Sequence, residues 1–153
     1  MTFTLTSPAF EPGAEIPKKH TCKAADVSPA LEWSGAPAKT ASFALIMDDP
    51  EAPAGTWVHW VVWNLPAGLH SLPEGVAKND QLSDGSRQGR NDFQKAGYNG
   101  PCPPPGKTHR YFFRLYALDR KLDLAPGASR SQLDDAMKGH IVERAEYMGT
   151  FRR

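Results

Sequence analysis

The sequence predicts a mainly β, single-domain protein, and three observations carry that reading. Fourteen prolines and 13 glycines among 153 residues cut the chain into short elements and argue against a helix bundle. Three stretches, 42–47, 56–64 and 109–118, have the length and the apolar or alternating pattern of strands. A single segment, beyond Pro126-Gly127, carries a helix start signal. The length suffices for one hydrophobic core, and 40% hydrophobic with 23% charged residues is an ordinary globular balance.

Taken in order, Phe3-Thr4-Leu5-Thr6 alternates as a short strand, and Pro8, Pro12, Gly13 and Pro17 then break regular structure. The segment from Ile16 to Pro29 is polar and irregular. Leu31-Glu32-Trp33 suits another short strand, closed by Gly35 and Pro37. Ser42 to Met47 is apolar on both faces and belongs inside a sheet covered on both sides. It runs into Asp48-Asp49-Pro50-Glu51-Ala52-Pro53, whose acids and prolines end a central strand. In the strand Thr56–Asn64, period 2 places Trp57, His59, Val61 and Trp63 on one face and Val58, Trp60 and Val62 on the other. A histidine in that setting is more often a hydrogen-bonded core residue than a functional one.

From Leu65 to Thr108 the hydrophobic pattern is scattered, which makes a crossing much longer than usual in a small domain. Phe93, Tyr98 and the run Pro101-Cys102-Pro103-Pro104-Pro105 argue that it is ordered. The strand from His109 to Leu118 follows, with His109, Tyr111, Phe113 and Leu115 on one face. Ser131 and Asp134 form a capping-box pattern for a helix with Leu133, Ala136 and Met137 as its apolar stripe, ended near Gly139. Tyr147 to Phe151 reads as a last strand.

A net charge of +1 offers no electrostatic reason for a nucleic-acid or anionic-membrane partner. The first residues lack the basic and apolar regions of a leader, and no run approaches a membrane span, so a cytoplasmic protein is expected. Two cysteines, Cys22 and Cys102, make no disulfide framework, and in that compartment they are expected as reduced thiols.

Asp49, His59 and His109 each lie near an end of a strong strand, and the stiff loop 97–108 empties into the last of these strands. If the strands are neighbours, the three side chains converge on one rim. Two imidazoles and a carboxylate beside aromatic residues suit a small-ligand pocket, and a charged imidazole pair attracts an anion. Backbone N–H groups around Gly100 could add to the attraction. The same residue types also form a metal-ligand set, although the spacing is not a tight metal motif and no Cys/His cluster supports it. No Gly-x-Ser-x-Gly elbow, P-loop or dinucleotide fingerprint is present.

Several blocks resemble the phosphatidylethanolamine-binding protein family, which includes the Raf kinase inhibitor protein, and its bacterial branch in particular. They are Asp49-Pro50-Glu51-Ala52-Pro53 followed by Trp57-Val58-His59-Trp60; Asn91-Asp92-Phe93 with Gly97-Tyr98-Asn99-Gly100-Pro101-Cys102-Pro103-Pro104; and His109-Arg110-Tyr111 through Leu118. Thr21-Cys22, the block Ser28 to Trp33, and Gly139-His140 fit as well, so the likeness covers nearly the whole chain. The resemblance implies two antiparallel sheets with Greek-key connections, few helices, and one small pocket that takes phosphate-like anions, including phospholipid head groups. By motif, Asp49, His59, His109 and Tyr111 would line it. Trp57, Glu51 and the loop from Gly100 through Pro103 and Pro104 would frame it. A cis bond at Ala52-Pro53 is also implied. Three departures stand out: Glu51 replaces the commoner Asp, Gln94 stands where Gly is usual, and the longer C-terminal helical segment of the animal proteins is not found.

The expected function is a non-enzymatic, cofactor-free module binding a small anion or phosphorylated ligand and regulating a protein kinase or phosphoprotein partner. The alternatives from other classes are a metal-assisted or His-based hydrolase of a small phosphorylated substrate, and a protein-interaction module that forms a homodimer.

Overall fold

The computed structural model describes residues 2–153. Eight strands and one α-helix follow in chain order: β1 (Thr4–Thr6), β2 (Leu31–Ser34), β3 (Ser42–Asp49), β4 (Trp57–Pro66), β5 (Ser71–Leu72), β6 (Arg87–Gln88), β7 (Thr108–Leu118), α1 (Arg130–Met137) and β8 (Ile141–Arg152). They form a three-stranded sheet, β1-β2-β5, and a five-stranded sheet, β6-β4-β3-β7-β8, with every named pair antiparallel. The chain leaves the β3–β4 hairpin, pairs briefly as β6, and returns as β7 on the far side of β3, the long crossing that a Greek-key connection requires.

β3 has no exposed residue, as its two apolar faces predict. Phe43, Leu45 and Met47 meet Trp60, Phe113 and Leu115 in the core that also takes in Leu5, Leu31 and Trp33 of the smaller sheet. Ala44 and Ile46 face the opposite way, into a second core with Val61, Trp63, Leu133 and Met137 under α1. The large sheet is thus buried on both faces.

The details depart from the sequence reading in three places. The last strand begins at Ile141, well before Tyr147, and pairs along the whole of β7. The capping box of α1 is Ser129 with Gln132 rather than Ser131 with Asp134. Two overlapping Ser-x-x-polar patterns occupy this stretch, and the one directly after Pro126-Gly127-Ala128 takes the turn. Among the described residues no peptide bond is cis, so Ala52–Pro53 is trans.

A fourth departure shapes the site. Met47 pairs with Trp60 but the next residue, Asp48, pairs with Val58, which leaves His59 as the extra residue of a β-bulge. The bulge breaks the period. Trp60 and Val62 enter the core between the sheets, Val61 and Trp63 enter the core under α1, and His59 packs on Tyr111 of the former side. His59 therefore does not share a face with Val61 and Trp63.

Candidate functional site: a carboxylate–imidazole pocket

Antiparallel pairing puts the end of β3, the start of β4 and the start of β7 at one rim. Asp49, His59 and His109 meet there, with Tyr111, Trp57 and Phe93, around a cavity of about 220 Å³. Ala52, Pro53 and Ala54 close one side, and Cys102, Pro103 and Pro104 close the other. The lining is apolar apart from the two imidazoles, the carboxylate and the Tyr111 hydroxyl.

Each imidazole is held through Nδ1. His109 Nδ1 lies 2.6 Å from Asp49 Oδ2, and both side chains are almost fully buried. His59 Nδ1 donates to the Asn99 carbonyl at 2.7 Å, and the Asn99 amide donates back to the His59 carbonyl at 3.2 Å. A proton on Nδ1 leaves Nε2 to face a ligand. Burial holds His59 below the usual imidazole range, opposed by its bond to Asn99 and by Asp49 and Asp26, so His59 is neutral near pH 7. Burial, with Asp49 alongside, pushes the Tyr111 phenol far up and keeps it a hydroxyl.

Two of the candidates frame the cavity without lining it. Glu51 turns outward, where Oε1 accepts from the Arg110 amide at 2.8 Å and from its Nε at 3.1 Å. These bonds hold the Glu51 carboxyl below its usual range. Gly100 stands behind the wall, and its N–H donates to Asp26 Oδ1 at 2.8 Å rather than facing a ligand. A Cβ at Gly100 would lie 1.9 Å from the His20 carbonyl oxygen, so glycine is needed for the close approach.

The expectation of two free thiols is not met, because Cys22 and Cys102 are disulfide-bonded with Cα atoms 5.4 Å apart. Eighty residues separate them, and only the packing of the irregular 20–27 segment against the 97–102 loop brings them together.

That packing involves residues the sequence reading passed over. Asp26, at a left-handed φ of 59°, accepts from Gly100. The Tyr98 hydroxyl donates to the His20 carbonyl at 2.7 Å, and the Cys22 amide donates to the Pro101 carbonyl at 3.1 Å. Asn91 bridges the Gly97 carbonyl and Asn99 Oδ1. Asp92 Oδ2 accepts from the Val58 amide at 2.7 Å, anchoring the start of β4. The Asn91-Asp92-Phe93 block is thus scaffold, apart from Phe93, which lines the cavity. A left-handed Asp amid polar, aperiodic sequence offers no signal beyond its tolerance of that conformation.

The family model for phosphatidylethanolamine-binding protein matches residues 6–152. The chain belongs to the phosphatidylethanolamine-binding protein family. A UPF0098 protein of Methanothermobacter thermautotrophicus is 49% identical over 149 residues, covering 97% of this chain and 98% of that one. A UPF0098 protein of Aquifex aeolicus is 47% identical, over 96% of this chain and 86% of its own. Among solved structures, E. coli YbcL, described as a member of the mammalian PEBP family, superposes with a TM-score of 0.92 at 34% identity. That match covers 99% of this chain and 98% of YbcL. The phosphatidylethanolamine-binding protein homolog CT736 of Chlamydia trachomatis superposes with a TM-score of 0.90 at 41% identity, over 99% and 97% of the two chains. Gln94, at the position where the resemblance led to an expectation of glycine, has a left-handed φ of 63°. Among the described residues no helix is long and apolar enough to cross a membrane.

Proposed function

We propose that this family member is a small-anion binding module whose pocket takes a phosphate-like group. One observation carries the reading: Asp49, His59 and His109 converge in one apolar cavity with both imidazoles tied through Nδ1. An anion entering the cavity meets the Nε2 sides of the two rings and the Tyr111 hydroxyl. Since burial keeps His59 neutral, binding an anion favours its protonation and draws in a proton. Affinity then rises as pH falls. The phosphate-bearing ligand is a head group or a phosphorylated protein side chain, and the output is regulation of a kinase or phosphoprotein in a cytoplasmic setting.

Calorimetric titration with phosphate and with phosphoethanolamine at pH ~5.5 and ~7.5, on either side of an unperturbed imidazole, tests this. Tighter binding at the lower pH supports the reading. Unchanged phosphate affinity in both His59→Ala and His109→Ala refutes it.

The Asp49–His109 pair favours a second reading, acid–base catalysis on a small phosphorylated substrate, because a carboxylate on Nδ1 orients Nε2 for proton transfer. Phosphate release from a simple monoester that disappears in His109→Asn would support it. A concentration series in the ultracentrifuge decides whether the chain self-associates.

A further inference from the structure

The wall formed by 98–104 is held from behind by the 20–27 segment through four hydrogen bonds and one covalent bond. The hydrogen bonds are Tyr98 Oη to the His20 carbonyl, the Gly100 amide and the Asn99 side-chain amide to Asp26, and the Cys22 amide to the Pro101 carbonyl. The covalent bond is Cys22–Cys102, and Cys102 itself lines the cavity. Asn99, which fixes His59, lies between these ties. Cys22 is exposed and Cys102 half-buried, so the bond is within reach of solvent.

We propose that the Cys22–Cys102 disulfide is a redox latch on the pocket, whose opening by a dithiol loosens the 98–104 wall and weakens anion binding. The inference rests on the anion-binding reading of the cavity. The exposed Cys22 sulfur takes the attack. One thiolate of the dithiol bonds to Cys22 Sγ, the Cys22–Cys102 bond breaks, and its electron pair leaves on Cys102 Sγ. The Arg153 guanidinium, with Nη1 3.4 Å from that sulfur, stabilises the departing thiolate. The dithiol's second thiolate then displaces Cys22. The dithiol ends as a disulfide, and the protein gains two electrons and two protons.

Opening the latch has two effects on the pocket. The 98–104 wall loses its covalent tie, so the Asn99 carbonyl holds His59 Nδ1 in a smaller fraction of molecules, and apparent affinity falls in proportion to that fraction. A thiol that ionises also appears in the lining, where its negative charge opposes an anion. In a reducing compartment, where dithiols open such bonds, the pocket would stand in its loose state.

The test titrates inorganic phosphate into air-oxidised protein and into protein reduced with dithiothreitol, counts thiols by iodoacetamide labelling and mass spectrometry, and follows amide hydrogen exchange in both states. The expected result is no label and tight binding when oxidised. Two labels and about tenfold weaker binding are expected when reduced, as for a wall competent in about a tenth of molecules. Exchange should quicken in 98–104 while β3 and β7 stay protected. Labelling of both cysteines in the oxidised protein overturns the proposal. So does equal affinity with two labels, or loss of protection throughout the sheet. If phosphate fails to bind even the oxidised protein, the anion reading falls. The exchange data then decide the latch alone, since unchanged exchange in 98–104 removes it.

Discussion

Asp49 Oδ2 lies 2.6 Å from His109 Nδ1, while its neighbour Asp48, on the opposite face of β3, accepts from Arg114 Nη2 and Arg130 Nη1, each at 3.0 Å. Adjacent carboxylates at the end of one strand thus serve different ends. Asp49 orients an imidazole in the cavity. Asp48 joins β7 and α1 through two guanidiniums, one of which continues to Glu146 and the other to Asp134. Period-2 alternation separates these roles.

That separation is testable. Asp48→Ala leaves two partly buried guanidiniums without their shared acceptor and should lower unfolding free energy by about 3 kcal/mol. Its phosphate affinity should stay within about twofold of wild type, because the Asp48 side chain lies on the face of β3 opposite the cavity. Asp49→Ala should lower both stability and phosphate affinity, the latter by about tenfold, through loss of the group that orients His109. Urea titration and calorimetry on the same two variants read both effects.

Stability should fall with acid in phosphate-free buffer. Burial, the largest cause in each case, depresses His59 and His20 in the folded state. Below the ordinary imidazole value of about 6.5 the unfolded chain therefore binds protons that the folded protein refuses. The stability these residues contribute is present above that value and is lost as pH falls from there toward their folded pKa values. Urea midpoints at pH ~7.5 and ~5.5 measure the loss, and His59→Gln should shrink it. Added phosphate should shrink it too, since an anion in the cavity raises the folded affinity of His59 for a proton.

The disulfide closes a loop of 80 residues. Chain-entropy arguments give about 4 kcal/mol for a loop of that length. Cys22→Ala with Cys102→Ala should lower the unfolding free energy by roughly that amount, with the fold kept, as circular dichroism and urea titration would record.

Gly100→Ala should be among the harsher small substitutions. Its Cβ would lie 1.9 Å from the backbone oxygen of His20, which cannot swing aside as the nearby Asp26 side chain could, so the loop has to move. Loss of about 1–3 kcal/mol is expected, together with weakened phosphate binding. Gln94→Gly should go the other way. It relieves the left-handed φ at a cost in chain entropy, for a net gain of up to about 1 kcal/mol measured by thermal melting.

The long strands were legible because length and alternation are local properties. The convergence of Asp49, His59 and His109 followed from strand ends meeting at one rim. What local pattern could not reach was the back of the pocket wall. Asp26, His20 and Cys22 sit in aperiodic sequence, and their partners at 98–102 lie more than 70 positions away. The cysteine pairing was missed for that reason, as was the turning of Gly100 toward Asp26. The cap of α1 was misplaced because competing Ser-x-x-polar patterns overlap and only the turn geometry chooses between them.

The bulge at His59 sets a rule for how this chain tolerates changes in length. Deleting His59 would leave Val58 opposite Asp48 and Trp60 opposite Met47 as they are now, so the neighbouring side chains keep their faces and the rim loses its imidazole alone. The turn 52–55 lies outside the pairing with β3, which resumes only at Trp57, but its Ala52, Pro53 and Ala54 form one side of the cavity. Sequences that keep this pocket are therefore constrained at both places, since the residue count from Trp57 to Trp60 supplies the imidazole and the hairpin tip supplies a wall.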